Sequence, residues 1–243
     1  MHFALPELCG AALSRLKAAC RFDPSKEMHA RMRDDALDAH REWAERAELR
    51  AVAVRFASSA PRGRALELAG VRFACAAFGL IDARNVIETV VYALTLAAGE
   101  APSRGVSRLF YEDLWANAYL EAALCALKSD LAARAGGVPS DSFGPGYYGM
   151  ALEEMPKLAR VSDFGRIGGT VLENGMLQPP KSCAGIFFVV RDAARMPERS
   201  CRGCAGDPAG CAFCAHRAAR PHAQMMQNRK SEKTIHGGCS WEF

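Results

Sequence analysis

No apolar run in this sequence is long enough to cross a membrane. The longest candidates, Phe73–Ile81 and Val90–Ala98, fall well short of the ~20 residues a spanning helix needs and fit buried core elements instead. Met1–Cys20 lacks a basic start, and Pro6, Glu7, Arg15 and Lys17 interrupt its apolar positions. No secretory leader is therefore expected. Neither sign of charge dominates. A net charge of +4 is mild and would favour an acidic partner surface without being a nucleic-acid signature. Internal repeats are absent, and so is the glycine-rich fingerprint that opens a dinucleotide-binding βαβ unit.

What the chain does have is apolar content and cysteine. Half of its 243 residues are apolar and 24% are charged, which supports a real core in one large domain or two small ones. Without a leader, ten cysteines read as metal or redox chemistry in a reducing, cytoplasmic setting rather than as a disulfide framework.

Apolar spacing predicts a helix over Pro6–Cys20. Asp23-Pro24-Ser25 is a capping signal for a charged, solvated helix from Lys26 to Leu49. Period-two alternation predicts a strand at Ala51–Phe56. Ala65–Ala69 reads as a short helical piece, and Val71–Gly79 as a central strand whose small residues let a neighbouring backbone or ligand lie close. Cys75 within it reads as a core thiol. Asp82–Leu96 and Gly105–Ala135 read as the two strongest helices, the second stopped by Gly136-Gly137. Glu121 lies in the alanine-rich part of that helix, where a carboxylate either faces solvent or meets a cation.

The stretch Asp141–Val190 carries the densest signals. Ser142-Phe143-Gly144-Pro145-Gly146-Tyr147 is a turn in which proline fixes φ and glycine lets backbone amides approach a ligand. A short helical segment, a glycine-rich reversal and Pro179-Pro180-Lys181-Ser182 lead into the apolar strand Ala184–Val190. Arg191–Ser200 then turns charged and marks a boundary. Beyond it, Cys201-x-x-Cys204 and Cys211-x-x-Cys214 can wrap four thiolates around one tetrahedral centre. Zinc and an iron–sulfur cluster both accept this set, so spacing does not decide between them. The tail from Arg217 to Phe243 is basic, and Cys239 within it has no assigned role.

From Leu66 to Val190 the ordered set of motifs resembles the activation (reactivation) domain of cobalamin-dependent methionine synthase, and its stand-alone relatives in anaerobic bacteria. The resemblance rests on Pro145-Gly146-Tyr147, on Leu177-x-Pro179-x-x-Ser182 preceded by Lys181, and on Gly185 opening the apolar strand. Val71–Gly79 and the helix around Glu121-Ala122-Ala123 stand at matching separations upstream. It implies an α+β fold, a twisted antiparallel sheet flanked by helices, over residues 1–195 with N-terminal helices in 1–50. A small cysteine-rich metal knuckle and basic tail would occupy 196–243.

The implied function is an accessory one in methionine biosynthesis or a related methyl transfer. The chain would help reactivate a corrinoid methyltransferase that has slipped to the cob(II) state, as an activation component rather than a complete methyltransferase. S-adenosylmethionine would supply the methyl group. Glu121 would pair with its ammonium, and Ser142, Gly144, Pro145, Gly146, Tyr147, Lys181 and Ser182 would complete the cofactor site. Cobalamin would arrive on a partner, since this chain has no Asp-x-His-x-x-Gly ligand motif. A flavodoxin or ferredoxin would donate the electron, and an iron–sulfur centre at Cys201, Cys204, Cys211 and Cys214 suits a relay, whereas zinc there would be structural. Two positions depart from the family. Ser142 stands where its loop begins with arginine, and Arg195 and Met196 fall where a tyrosine pair is expected. The reading from a different class is a zinc-knuckle interaction protein whose basic tail binds nucleic acid or an acidic partner, with salt-sensitive affinity.

Overall fold

The computed structural model describes residues 2–23, 25–99 and 105–196. The cysteine array Cys201–Cys214, Cys239 and the basic tail lie outside these residues. In chain order the elements are β1 (His2–Phe3), α1 (Leu5–Cys20), α2 (Glu27–Ala44), β2 (Ala47–Ala57), β3 (Ala65–Leu68), β4 (Val71–Ala74), β5 (Val86–Ala98), α3 (Val106–Arg134), β6 (Val138–Phe143), α4 (Met155–Ser162), β7 (Thr170–Val171), β8 (Leu177–Gln178) and β9 (Ser182–Val190). The architecture is α+β. Among the described residues no helix is long and apolar enough to cross a membrane.

One five-stranded sheet, ordered β1-β2-β5-β9-β6, is accompanied by the hairpins β3–β4 and β7–β8. Contacts at the strand ends fix its antiparallel sense. The Gly99 amide donates to Arg46 O at 3.2 Å at one end of the β2–β5 pair, and Ser58 N to Ile87 O at 3.2 Å at the other. For β5 and β9 the matching bonds are Leu96 N to Lys181 O at 2.8 Å and Arg191 N to Asn85 O at 2.9 Å. β6 pairs with β9 from Val138↔Val190 to Phe143↔Ile186, with a bulge between Pro139 and Ser142.

Two of the predicted helices are strands. Asp82–Leu96 holds β5, which is buried on both faces along most of its length. A strand covered on both sides has no polar alternation to betray it. Its content of Val86, Ile87, Thr89, Val90, Val91 and Thr95 nevertheless suits the pleat, where stiff branched side chains pack well. Ala65–Ala69 likewise forms β3, paired with β4 through Leu66↔Phe73 and Leu68↔Val71. Ala69 and Gly70 turn between them, both at positive φ (48° and 71°), as a two-residue hairpin turn demands. The expected central strand Val71–Gly79 is thus a short hairpin arm that gives way to a 3-10 turn at Ala76–Leu80. The charged helix ends at Ala44, before the expected Leu49.

The described residues fall into two compact units, and β2, β5, β9 and α3 each contribute to both. The first takes residues up to Val52, Ala93–Leu127 and Phe164–Cys183. In it α1 buries Leu5, Leu8, Ala12 and Leu16, and α2 buries Ala36, Ala39 and Trp43. His40 lies among Trp43, Trp115 and Tyr119, its ring centroid 4.2 Å from that of Trp115, with Nε2 2.8 Å from the Tyr119 hydroxyl. The Trp115 indole donates to Ala36 O at 2.8 Å.

Burial holds the His40 imidazole below its usual value of 6.5. The folded chain therefore resists the proton that the unfolded chain accepts. The stability tied to a neutral His40 is complete above the unfolded value and is lost as the pH falls through it. Melting temperatures measured between about pH 8 and about pH 5 should fall on the acid side. His40→Gln should flatten that slope, and an equal slope in the variant would assign it elsewhere.

The second unit takes Ala53–Tyr92, Lys128–Asp163 and the described residues from Ala184. Its core joins Leu66, Phe73, Phe78 and Val91 to Phe143, Leu158, Ile186 and Phe188. Phe78, Phe143 and Phe188 meet pairwise at 5.5–5.7 Å between ring centroids. Asn85, fully buried, donates through Nδ2 to Asp192 O at 2.8 Å and accepts from Asp192 N at 3.0 Å. That clamp closes the chain just past β9.

Candidate functional site

The residues singled out by sequence divide between the two units, and each set has its own surroundings. Glu121, Lys181 and Ser182 belong to the first; Ser142, Gly144, Pro145, Gly146 and Tyr147 belong to the second.

In the first unit, Asp113, Asn117, Glu121 and Cys125 follow one another at intervals of four along α3, which sets them on one face. Between Tyr111 and Lys128 they form the more exposed stripe of the helix. Lys181 meets this stripe at one end, its Nζ 2.6 Å from Asp113 Oδ1 and donating to Asn117 Oδ1 at 2.9 Å. Arg15, from α1, meets it at the other. Its Nε lies 3.6 Å from Glu121 Oε2, and its Nη2 donates to Cys125 Sγ at 3.1 Å. Glu121 is partly exposed and faces a cation, so both expectations for it hold in part. Ser182 Oγ donates to Pro179 O at 2.6 Å and closes the turn that presents Lys181.

In the second unit, the turn after β6 is fixed by its own backbone. Tyr147 N donates to Gly144 O at 3.0 Å, Met150 N to Tyr147 O at 2.9 Å and Gly146 N to Met150 O at 2.9 Å. Ala76 N and Ala77 N donate to Gly149 O and Tyr148 O at 3.3 and 3.2 Å, and the Cys75 thiol donates to Tyr148 O at 3.3 Å. The small residues of Cys75–Ala77 thus admit a neighbouring backbone, and Cys75 is the core thiol expected. Tyr147 is left 52% exposed, and Leu152 54%. Ser142 is only 6% exposed, and its Oγ has no hydrogen-bond partner among the protein atoms.

Gly185 has a packing role. A Cβ there would lie 2.7 Å from Phe143 O and 2.9 Å from the Tyr92 hydroxyl, so only glycine lets β6 and Tyr92 approach. A groove of about 530 Å³ beside the β3–β4 hairpin, bordered by Arg62, Glu67 and Arg72, contains none of the residues singled out by sequence.

Arg15, Asn117 and Cys125 were not singled out as site residues by sequence. For Asn117 and Cys125 the four-residue spacing from Glu121 was the available signal; Arg15 had none. Among the described residues no group of three or more His, Cys, Asp or Glu side chains converges as a metal site; the four-cysteine array lies outside them. No protein-family model matches the chain, and no curated protein sequence matches it.

Proposed function

We propose that this protein is an accessory factor for reductive reactivation of a corrinoid-dependent methyltransferase, of methionine synthesis or a related methyl transfer, with S-adenosylmethionine as its small-molecule ligand. The observation that carries the reading is the Ser142–Met150 turn. It is held by backbone bonds at both ends, presents a half-exposed tyrosine, and begins at a buried hydroxyl that no protein group uses. Buried hydroxyls without partners are rare because each costs desolvation free energy, so a spare one marks a place where a ligand can gain.

In the first unit the α3 stripe sets carboxylates beside cations, Asp113 with Lys181 and Glu121 with Arg15, charges of the kind an amino-acid zwitterion meets. S-adenosylmethionine, when bound, supplies an electrophilic methyl group; the residues of this chain bind and orient it. The corrinoid and the flavodoxin or ferredoxin that reduces it belong to partners. Cys201, Cys204, Cys211 and Cys214 would hold an iron–sulfur relay or a structural zinc.

Calorimetric titration with S-adenosylmethionine tests the ligand. Ser142→Ala and Tyr147→Ala should each weaken binding by about tenfold or more, the loss of one buried hydrogen bond or one stacking face. Wild-type affinity in both variants, or no heat with the wild type, would overturn the ligand assignment. Metal analysis of protein purified without air tests the relay: brown protein with iron and sulfide supports it, and colourless protein with one zinc removes it.

A further inference from the structure

The outer face of the β3–β4 hairpin carries charge that the second unit leaves unneutralised. Burial alternates along both strands. Leu66, Leu68, Val71 and Phe73 enter the core, so Ala65, Glu67, Arg72 and Ala74 share the opposite face. The groove of about 530 Å³ is bordered by residues of this hairpin and by Ala60 and Arg62 of the connection from β2. Between the charges its lining is small, with Ala60, Ala65 and Gly70, and a Cβ built at Gly70 would meet nothing within 4 Å. All of these residues lie in Ala53–Tyr92, a single segment of the second unit.

The guanidiniums of the groove have no anion of their own. Elsewhere in the segment, Arg55 is held by Glu88 at 2.7 Å and Arg84 by Asp82 at 3.1 Å. Among the described residues Arg62 and Arg72 have no such partner. Glu67 stands directly across from Arg72 in the hairpin register, yet the two form no ion pair. Arg64, on the same connection as Arg62, is likewise unpaired, and all four of these charged residues are exposed. Three guanidiniums against one carboxylate give the patch a positive field, which draws acidic partners toward it.

We propose that this groove docks an acidic segment of a partner protein, whose carboxylates pair with Arg62 and Arg72. The planar guanidinium fork fits carboxylate and phosphate alike. Glu67 favours the carboxylates, because it repels a compact dianion placed in the groove, whereas a peptide brings single charges separately to the two arginines. No aromatic side chain lines the groove for a nucleic-acid base to stack on. The chain's own tail, Arg217–Phe243, is basic and has the wrong sign. Exposed ion pairs are individually weak and are screened by salt, so the docking is transient. The groove contains none of the residues of the reactivation reading, and its occupancy is measured without S-adenosylmethionine.

Fluorescence anisotropy of a labelled hexaglutamate peptide, titrated with the full-length chain at low ionic strength, tests the docking. Arg62→Gln and Arg72→Gln should each weaken binding about threefold, and the double variant about tenfold. Glu67→Gln should tighten it about twofold. Ala65→Trp keeps every charge but fills the groove, and should weaken binding about tenfold or more. Arg31→Gln removes the same charge from α2 and should change nothing. Wild-type affinity in the double arginine variant would place the peptide on the basic tail and overturn the proposal. So would an absence of binding by the wild type, an equal loss in Arg31→Gln, or wild-type affinity in a folded Ala65→Trp. Displacement of the peptide by inorganic phosphate at constant ionic strength would assign the groove to phosphate and overturn the acidic partner. Melting curves check each variant; if Ala65→Trp fails to fold, the exposed arginine variants decide alone.

Discussion

Glu112→Ala is expected to cost about 3 kcal/mol of folding stability, the scale seen when one partner of a buried ion pair is removed. Glu112 is only 9% exposed and stands between two guanidiniums. Arg46 Nη2 donates to its Oε1 at 2.7 Å, and Arg108 Nε lies 3.6 Å from the same oxygen. Each arginine also has a second anchor, Arg46 on Gly99 O at 2.6 Å and Arg108 on Glu42 at 2.7 Å. The network therefore joins the end of α2, the approach to β2, the end of β5 and the first turns of α3. Removing the carboxylate leaves two largely buried cations without their shared anion. Glu112→Gln keeps an acceptor but not the charge, and should cost about half as much. Urea denaturation measures both. A loss below about 1 kcal/mol for the alanine variant would mean the network behaves like an exposed pair.

Two serines that sit two positions apart in β6 should give opposite results. The bulge between Pro139 and Ser142 interrupts the ladder to β9, and Phe188, fully buried, would lose its backbone acceptor there. The Ser140 hydroxyl takes that place. It accepts from Phe188 N at 2.9 Å and donates to Asp141 O at 2.7 Å. Ser140→Ala leaves a buried amide without a partner, at a cost of about 2 kcal/mol. Ser142→Ala removes a hydroxyl that has no protein partner, so stability should change by less than about 0.5 kcal/mol or rise slightly. Chemical denaturation of the two variants checks the contrast. Equal losses would show that Ser142 has a structural bond after all. If Ser142→Ala is as stable as wild type yet binds S-adenosylmethionine more weakly, the hydroxyl serves the ligand.

Much of this was legible in the residues. The long helix over Gly105–Ala135, the N-terminal helix and the strand at Ala51–Phe56 are where apolar spacing put them, because each has a uniform period, and Ala184–Val190 is a strand as its short unbroken apolar run after a Pro-Pro turn implied. β5 was not legible, since a strand buried on both faces carries no alternation and its 13 residues are long enough to pass for a helix. The β3–β4 hairpin was hidden by a turn that places Ala69, a residue with a Cβ, in the left-handed region. β6 was missed because Ser140, Asp141 and Ser142 look like loop residues until the bulge gives the first a backbone partner. At the candidate site, Glu121 and the tyrosine turn stood out by type and spacing. Arg15 did not, because its partners lie more than a hundred residues further along the chain, and local periodicity carries no such pairing.

The bulge in β6 has a bearing on how the protein behaves in a crowd. β6 is the outermost strand of the sheet on its side, and β1, only two residues long, occupies the other. A flat outer strand is a template on which a second chain can add its own, the first step toward aggregation. Here Pro139 cannot donate, and the extra residue twists the free edge away from straight pairing. The β6 margin of the sheet is thereby kept from recruiting strands from other molecules.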